Sequence, residues 1–251
     1  MAAQSQIKGP ESITYCHIME KYYVSSAKSG EIFSFEIKNG KAVNFDKIAG
    51  GLNFPRGMFA QNGKIYVTEA PAKTIRVIDA KTGKTVKKFN LPRSTDLNDI
   101  LVYQDEIYAS DLRGNTIWRI NIKTGKAIRF ASIDKPNGLA VKNGKLWCIT
   151  FSSSAKIYSF DIKTGEKENE YSIKNMPYGD GLQIVNNKFL CTSWGKNYSE
   201  GKVFVFDPES GKTNVILDHI KGPADLFAGK NGNIIIPLMT ENRIIVKKIE
   251  L

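Results

Sequence analysis

Six times along the chain a short turn leads into an apolar run: Gly9-Pro10-Glu11-Ser12, Phe54-Pro55-Arg56-Gly57, Asp96-Leu97-Asn98-Asp99, Lys135-Pro136-Asn137-Gly138, Tyr178-Gly179-Asp180-Gly181 and Gly222-Pro223-Ala224-Asp225. The equivalent residues Glu11, Arg56, Asn98, Asn137, Asp180 and Ala224 are 45, 42, 39, 43 and 44 residues apart. A period of about 40–45 residues belongs to propeller blades rather than to helical arrays. In a closed ring, equivalent positions converge on one axis. The spacing therefore brings Glu, Asn, Asn and Asp from four different repeats towards a single point.

The clearest unit runs through 57–61, 64–69, 74–79 and 85–90, four short stretches rich in β-branched and aromatic residues and bounded by turn residues. Asn-Gly recurs between the first and second stretches at Asn62-Gly63, Asn143-Gly144 and Asn231-Gly232, where it suits the positive φ angles of a tight hairpin. Lys-Thr-Gly recurs between the third and fourth at 81–83, 123–125 and 163–165. No stretch carries an apolar stripe at helical spacing. The expected fold is all-β: a six-bladed β-propeller of four-stranded antiparallel blades, forming a single domain over 1–251 with blades starting near 11, 56, 98, 137, 180 and 224. The sixth unit stops one strand short. Residues 3–8 precede Gly9-Pro10 as 217–221 precede Gly222-Pro223. The N-terminal segment is thus expected to supply the missing outer strand and close the ring, removing an otherwise open edge.

Composition narrows the function classes. The net charge of +11 comes with lysines that recur on the turns, among them Lys81, Lys84, Lys123, Lys126 and Lys163, and with no dense basic–aromatic cluster. That pattern predicts solvated outer turns and no nucleic-acid partner. No apolar run is long enough to span a bilayer. Residues 1–6 contain no apolar signal core, and the reading favours a periplasmic or secreted protein, its leader removed, over a cytoplasmic one. Cys16, Cys148 and Cys191 form no disulfide framework and read as small core residues. Neither His17 nor His219 stands at an axial position.

The axial set offers only oxygen. Glu11 and Asp180 bring carboxylates, and Asn98 and Asn137 bring amide carbonyls, a donor set suited to a hard cation: Ca²⁺ first, with Zn²⁺ and Mn²⁺ as alternatives. Capping of the inner strands by Asn and Asp is the competing structural reading. Arg56 shares the axial phase, either as a contact for an anionic or carbonyl substrate oxygen or as a balance to the charges of Glu11 and Asp180. Asp99 and Asp225 lie one residue out of phase and are expected to orient the axial ligands. Ends of the second stretches should return to the same face, offering Glu69 and Asp111 to substrate hydroxyls and Trp194 to a substrate ring, alongside Phe151 and Met239.

The order Gly-Pro-Glu in the first repeat, Asn-Asp in the third, Pro-Asn-Gly-Leu in the fourth and Asp-Gly in the fifth resembles the gluconolactonase, regucalcin (senescence marker protein) and luciferin-regenerating enzyme family across essentially the whole chain. The resemblance implies one divalent cation held by Glu11, Asn137 and Asp180, with Asn98 nearby as ligand or substrate contact and Asp180 also the catalytic acid/base. The first motif departs from the family by continuing Ser12-Ile13 where an aromatic is usual. The expected function is a divalent-metal-dependent hydrolase, a monomer that opens a small-molecule lactone or related ester in the central channel; the alternative is a non-catalytic propeller that binds a ligand or a protein.

Overall fold

The computed structural model describes residues 4–229 and 232–249. Within them the chain forms a six-bladed β-propeller. Blade 1 contains β1 (Pro10–Cys16), β2 (Lys21–Ser26), β3 (Glu31–Lys38) and β4 (Lys41–Ala49). Blades 2 to 5 repeat the pattern with β5 (Pro55–Gln61) to β8 (Thr85–Asn90), β9 (Leu97–Tyr103) to β12 (Ala127–Ser132), β13 (Pro136–Lys142) to β16 (Lys167–Ser172), and β17 (Gly179–Val185) to β20 (Thr213–Ile220). Blade 6 has three described strands, β21 (Phe227–Ala228), β22 (Asn233–Leu238) and β23 (Arg243–Lys248). The turn residues Lys230 and Asn231 lie outside the described residues, as does Ala3.

The N-terminal segment closes the ring differently from expectation. Residues Gln4–Gln6 form one 3-10 turn rather than a fourth strand for blade 6. The Gln4 side chain does the work of a strand edge: its Nε2 donates to Ile244 O (3.4 Å), and its Oε1 accepts from Ile244 N (3.3 Å). Gly9 N donates to Asn242 Oδ1 (2.7 Å), and Ile7 is buried with Ile13, Val24, Ile235 and Ile244 between blades 6 and 1. A side-chain amide carries both a donor and an acceptor, so one residue satisfies the pair of groups a strand residue would have met.

The apolar core is divided among the blade interfaces. One cluster joins Ile75, Val77 and Phe89 of blade 2 to Leu97, Ile107 and Trp118 of blade 3. Another joins Ile149 and Ile157 of blade 4 to Phe189, Cys191 and Phe204 of blade 5. Alternation along each strand sends one face to the preceding blade and the other to the next, so no blade buries its surfaces alone. Cys16, Cys148 and Cys191 are all free and buried in these clusters, in agreement with the sequence reading. Among the described residues no helix is long and apolar enough to cross a membrane.

The innermost strands set the axis. In blades 1 to 5 the inner strand carries one extra residue against its neighbour: the ladder jumps from Pro10 to Ile13, Pro55 to Met58, Leu97 to Ile100, Pro136 to Leu139 and Gly179 to Leu182. Such bulges re-aim side chains and commonly flank functional sites. Here each bulge holds the axial residue. Hydroxyls on the second strands then tie blade to blade: Ser25 Oγ donates to Arg56 O (2.8 Å), Thr68 Oγ1 to Asn98 O (2.5 Å) and Thr192 Oγ1 to Ala224 O (2.5 Å).

Where the residue after the axial one is glycine, neighbouring inner strands come too close for a side chain. A Cβ at Gly138 would stand 2.2 Å from the backbone oxygen of Asp180 and 2.8 Å from Leu182 N, neither of which can swing aside. Gly138→Ala is expected to cost at least about 2 kcal/mol, as overpacking against rigid neighbours does. Gly50→Ala, which meets only the flexible end of Lys47 and Glu31, is the control and should be near neutral in denaturant unfolding.

Candidate functional site at the channel axis

Glu11, Asn98, Asn137 and Asp180 all stand in the bulges of the inner strands, and all four are buried; Glu11, Asn137 and Asp180 lie within electrostatic or hydrogen-bonding reach of one another through Asp180. Asn137 is 1% exposed; its amide lies close enough to Asp180 to favour the ionised carboxylate, but neither Nδ2 nor Oδ1 completes a hydrogen bond of ordinary geometry, and Oδ1 has no donor. A buried carbonyl oxygen without a donor loses its hydration and receives nothing in return, which native cores rarely tolerate without a ligand or water. Asp180 commits Oδ2 to Trp194 Nε1 (2.5 Å), leaving its other oxygen for the axis.

Electrostatics pull the same way. Burial, then the charge of Asp180, then those of Asp225 and Asp99 hold the Glu11 carboxyl well above its ordinary value, against the opposing pull of Arg56. Burial and the Asp225 charge raise Asp180 to about 7, opposed by the Trp194 hydrogen bond, Arg56 and the Asn137 amide. Asp99 is raised well above its ordinary value by burial and by Asp225 and Asp180, and burial raises Asp225 to about 6. Four carboxyl groups thus share a low-dielectric channel, and each makes ionisation of the others harder. Arg56 opposes them, but its Nη1 is also held 3.0 Å from Asp96 Oδ1, and its guanidinium lies over the Phe54 ring.

Below the axial set the channel opens into a cavity of about 230 Å³, lined by Ile13, Met58, Leu139, Leu182, Asp99 and Asp225 among others. Asp99 and Asp225 make hydrogen bonds that run between inner strands rather than to the axial side chains. Asp99 accepts from Ile100 N (2.7 Å) and, across to blade 4, from Leu139 N (2.6 Å). Asp225 accepts from Leu226 N (2.7 Å) and, across to blade 1, from Ser12 Oγ (2.7 Å), while Ser12 Oγ in turn accepts from Met58 N (3.1 Å) of blade 2. These residues are staples of the ring whose charges reach the axis.

Glu69 and Asp111 depart from the expected role of contacting substrate hydroxyls. Glu69 accepts from Asn53 N, Thr74 Oγ1 and both Nε and Nη2 of Arg76. Asp111 accepts from Thr95 N, Asp96 N, Gly114 N and Trp118 Nε1. The strand register explains the difference. Glu69 pairs with Pro55 and Asp111 with Leu97, so their equivalents are Thr150, paired with Pro136, and Ser193, paired with Gly179. Phe151 and Trp194 stand one residue further on, and a single step along a strand reverses the face. Trp194 therefore reaches Asp180, whereas Glu69 and Asp111 turn back into their own blades.

Beside Trp194 and Phe151 the structure adds Tyr178 and Tyr198, absent from the sequence-based site. Phe151 and Tyr198 meet the indole and Tyr178 packs against both of them, with Phe151 and Tyr198 stacked (centroids 6.0 Å, planes 8° apart) and Tyr178 and Tyr198 tilted at 4.8 Å. Their signal in the sequence was the aromatic density of blades 4 and 5 near Asp180, visible only once the register is known. Among the described residues no group of three or more His, Cys, Asp and Glu is arranged to hold a metal ion, so a cation at the axis would need the amide oxygens as well.

Comparison with known proteins supports the fold. The family model described as a repeat of unknown function (DUF6923) matches residues 27–138, less than half of the chain. A search of curated proteins finds no match. Among solved structures, a gluconolactonase from Xanthomonas campestris superposes with a TM-score of 0.78 at 15% identity, covering 96% of this chain and 86% of its own. Virginiamycin B lyase from Staphylococcus aureus gives 0.69 at 18% identity over 100% of this chain and 88% of its own. A chain of the nidogen–laminin complex gives 0.70 at 12% identity, with 88% and 91% covered. Enzymes and a binding protein thus share the ring, and fold alone does not choose between them. The propeller expected from the order of the axial motifs is the fold these structures share with this chain.

Proposed function

We propose that this protein is a hydrolase that opens a lactone or related ester at a divalent cation on the channel axis. The observation that carries the reading is the buried Asn137 carbonyl oxygen, which has no donor, in a channel with two buried carboxylates that repel each other. An oxygen-rich set with an unmet acceptor and mutually repelling carboxylates fits a hard cation better than it fits an empty core. Glu11, Asn137 and Asp180 would hold the ion, with Asn98 as a further oxygen; Ca²⁺ suits these donors best. A bound divalent cation polarises a carbonyl and makes attached water more acidic.

The chain's own residues supply the rest. Trp194 fixes the Asp180 carboxylate in one orientation by holding Oδ2. Arg56, pinned by Asp96, presents positive charge at the same level of the axis, suited to a developing oxyanion or to a substrate carboxylate. Asn98, the other buried amide of the set, would orient the substrate oxygen. In the overall reaction, water adds to the acyl carbon, the acyl C–O bond breaks, and the proton lost by water ends on the departing oxygen. Asp180, whose carboxyl is raised to about 7, would carry that proton.

Calorimetric titration of metal-stripped protein with Ca²⁺, Zn²⁺ and Mn²⁺ tests the reading. One-to-one binding is expected in the wild type, with affinity reduced by roughly 100-fold or more in Asp180→Ala, as expected for loss of a buried charged ligand worth about 3 kcal/mol or more. A lactone and ester screen with the preferred ion should show turnover in the wild type only. Folded wild-type protein that binds none of the three ions would sink the metal-hydrolase reading and leave a polar-channelled scaffold.

A further inference from the structure

One step beyond the end of each second strand, the six blades carry Ala27, Ala70, Leu112, Phe151, Trp194 and Met239 at matching register. Large aromatic groups occur at this level only in blades 4 and 5, the two blades that also carry Asn137 and Asp180. The connection from β18 (Lys188–Ser193) to β19 (Gly201–Phe206) adds Tyr198 to them. Tyr198 is 49% exposed, yet its ring meets those of Phe151, Tyr178 and Trp194. Tyr178 and Tyr198 both hold left-handed backbone, at φ 56° and 57°, a conformation that bulky side chains seldom adopt. Strain of this kind persists where surrounding structure enforces it and gathers at ligand sites. The aromatic wall is linked to the axis by the Trp194–Asp180 hydrogen bond. On the other side of the axial set, Asp96 holds Arg56 at 3.0 Å and Arg113 at 3.3 Å.

Two facts then bear on substrate class. The acidic side chains best suited to bind sugar hydroxyls, Glu69 and Asp111, spend their oxygens on their own blades. The groups left beside the axis are flat and apolar on one side and cationic on the other. We infer that the channel mouth favours an aryl-bearing lactone or ester over a polyol lactone, with the aryl ring against the wall formed by Phe151, Tyr178, Trp194 and Tyr198. The inference rests on the hydrolase reading for the reacting bond, but the wall itself is a binding site for the ring. Aromatic faces hold aromatic rings by area and by offset or edge contacts, whereas a hydrated polyol gains little there.

Binding is measured separately from turnover. In calcium-containing buffer, 3-(2-hydroxyphenyl)propanoate, the ring-opened form of dihydrocoumarin, and gluconate are titrated by calorimetry and by tryptophan fluorescence. The aryl acid is expected to bind at least about 10-fold more tightly than gluconate and to perturb Trp194 emission, assigned by its loss in Trp194→Phe. Tyr198→Ala should weaken the aryl acid roughly 3- to 10-fold with little change for gluconate, and Tyr198→Phe should restore it, as expected for one aromatic contact. Ile18→Ala, an exposed apolar side chain of blade 1 in the turn between β1 and β2, should change neither. Absence of aryl binding, equal affinity for the two acids, or an unaltered aryl affinity in Tyr198→Ala would overturn the inference. Dihydrocoumarin hydrolysis is assayed alongside: aryl binding that needs Tyr198 but leads to no turnover would uphold the wall and overturn only the hydrolase reading.

Discussion

Replacing Asp111 with alanine is expected to lower the unfolding free energy by roughly 4 kcal/mol or more, since each buried donor left unpaired costs about 1–3 kcal/mol. One carboxylate here serves four N–H groups: Thr95 N at 2.9 Å, Asp96 N at 2.7 Å, Gly114 N at 3.1 Å and Trp118 Nε1 at 3.1 Å. Alanine leaves the buried Asp96 N–H and Trp118 Nε1–H without an acceptor, turns the part-buried Thr95 and Gly114 N–H groups to water, and opens a void beside Trp118, whose ring packs into the blade 2–blade 3 core. A midpoint drop of about 8–16 °C should follow for a chain of this size. The loop carrying Asp96 should loosen as well, and with it the anchor of Arg56. Asp105→Ala, which removes only an exposed partner of Lys123, is expected to change stability by less than about 1 kcal/mol. Thermal and denaturant unfolding of the two variants decide the matter. Equal stability would mean that Asp111 is not the hub of its blade, and the substrate role for it would regain its place.

Metal-stripped protein is expected to lose stability as pH rises through about 6 and 7, the reverse of ordinary acid denaturation. Glu11, Asp99, Asp180 and Asp225 all have carboxyl groups raised in the folded chain, Asp225 to about 6 and Asp180 to about 7, from ordinary values of 4.5 for Glu and 3.8 for Asp. Between the unfolded and folded values the native state holds protons that the unfolded chain has already released. The stability they contribute is therefore greatest at the acid end and is lost as pH climbs. The loss is at most about 1.4 kcal/mol per pH unit for each group titrating in its window. Exposed carboxylates such as Asp79, Asp161 and Asp207, lowered by bonds from backbone N–H groups, act in the opposite sense and only at lower pH. A divalent cation at the axis would bind the ionised form and restore stability at neutral pH. Melting temperatures followed from about pH 5 to 8, with chelator and with calcium, should diverge as pH rises. A flat profile in chelator, or two parallel profiles, would remove the electrostatic argument for a cation.

The axial set was readable because the repeat supplies its own alignment. Once Asn98, Asn137 and Asp180 are seen to stand at one phase, closure of the ring is enough to bring them together, whatever the details of each blade. The ends of the second strands were harder. Glu69 and Asp111 look equivalent to Phe151 and Trp194 when aligned by eye, but hydrogen-bond register places them one residue apart and on opposite faces. Sequence spacing across loops of unequal length carries an uncertainty of about one residue, and in a strand that is the whole difference between two faces. The fourth strand expected for blade 6 failed for a related reason. Likeness between 3–8 and 217–221 concerns residue types, whereas strand pairing needs a run of backbone groups, and Gln4 meets that edge with its side chain instead.

By itself, then, the amino-acid sequence determined the all-β ring, its six-fold phase and the oxygen-bearing residues that meet on the axis, because periodicity and turn chemistry are local and repeat. Only the tertiary structure decided that Asp99 and Asp225 staple neighbouring inner strands, that Glu69 and Asp111 turn back into their own blades, that the Asn137 carbonyl oxygen is left without a donor, and that Tyr178 and Tyr198 join Phe151 and Trp194 beside Asp180. Those outcomes depend on burial and on which blade lies next to which, and neither is written in any single repeat.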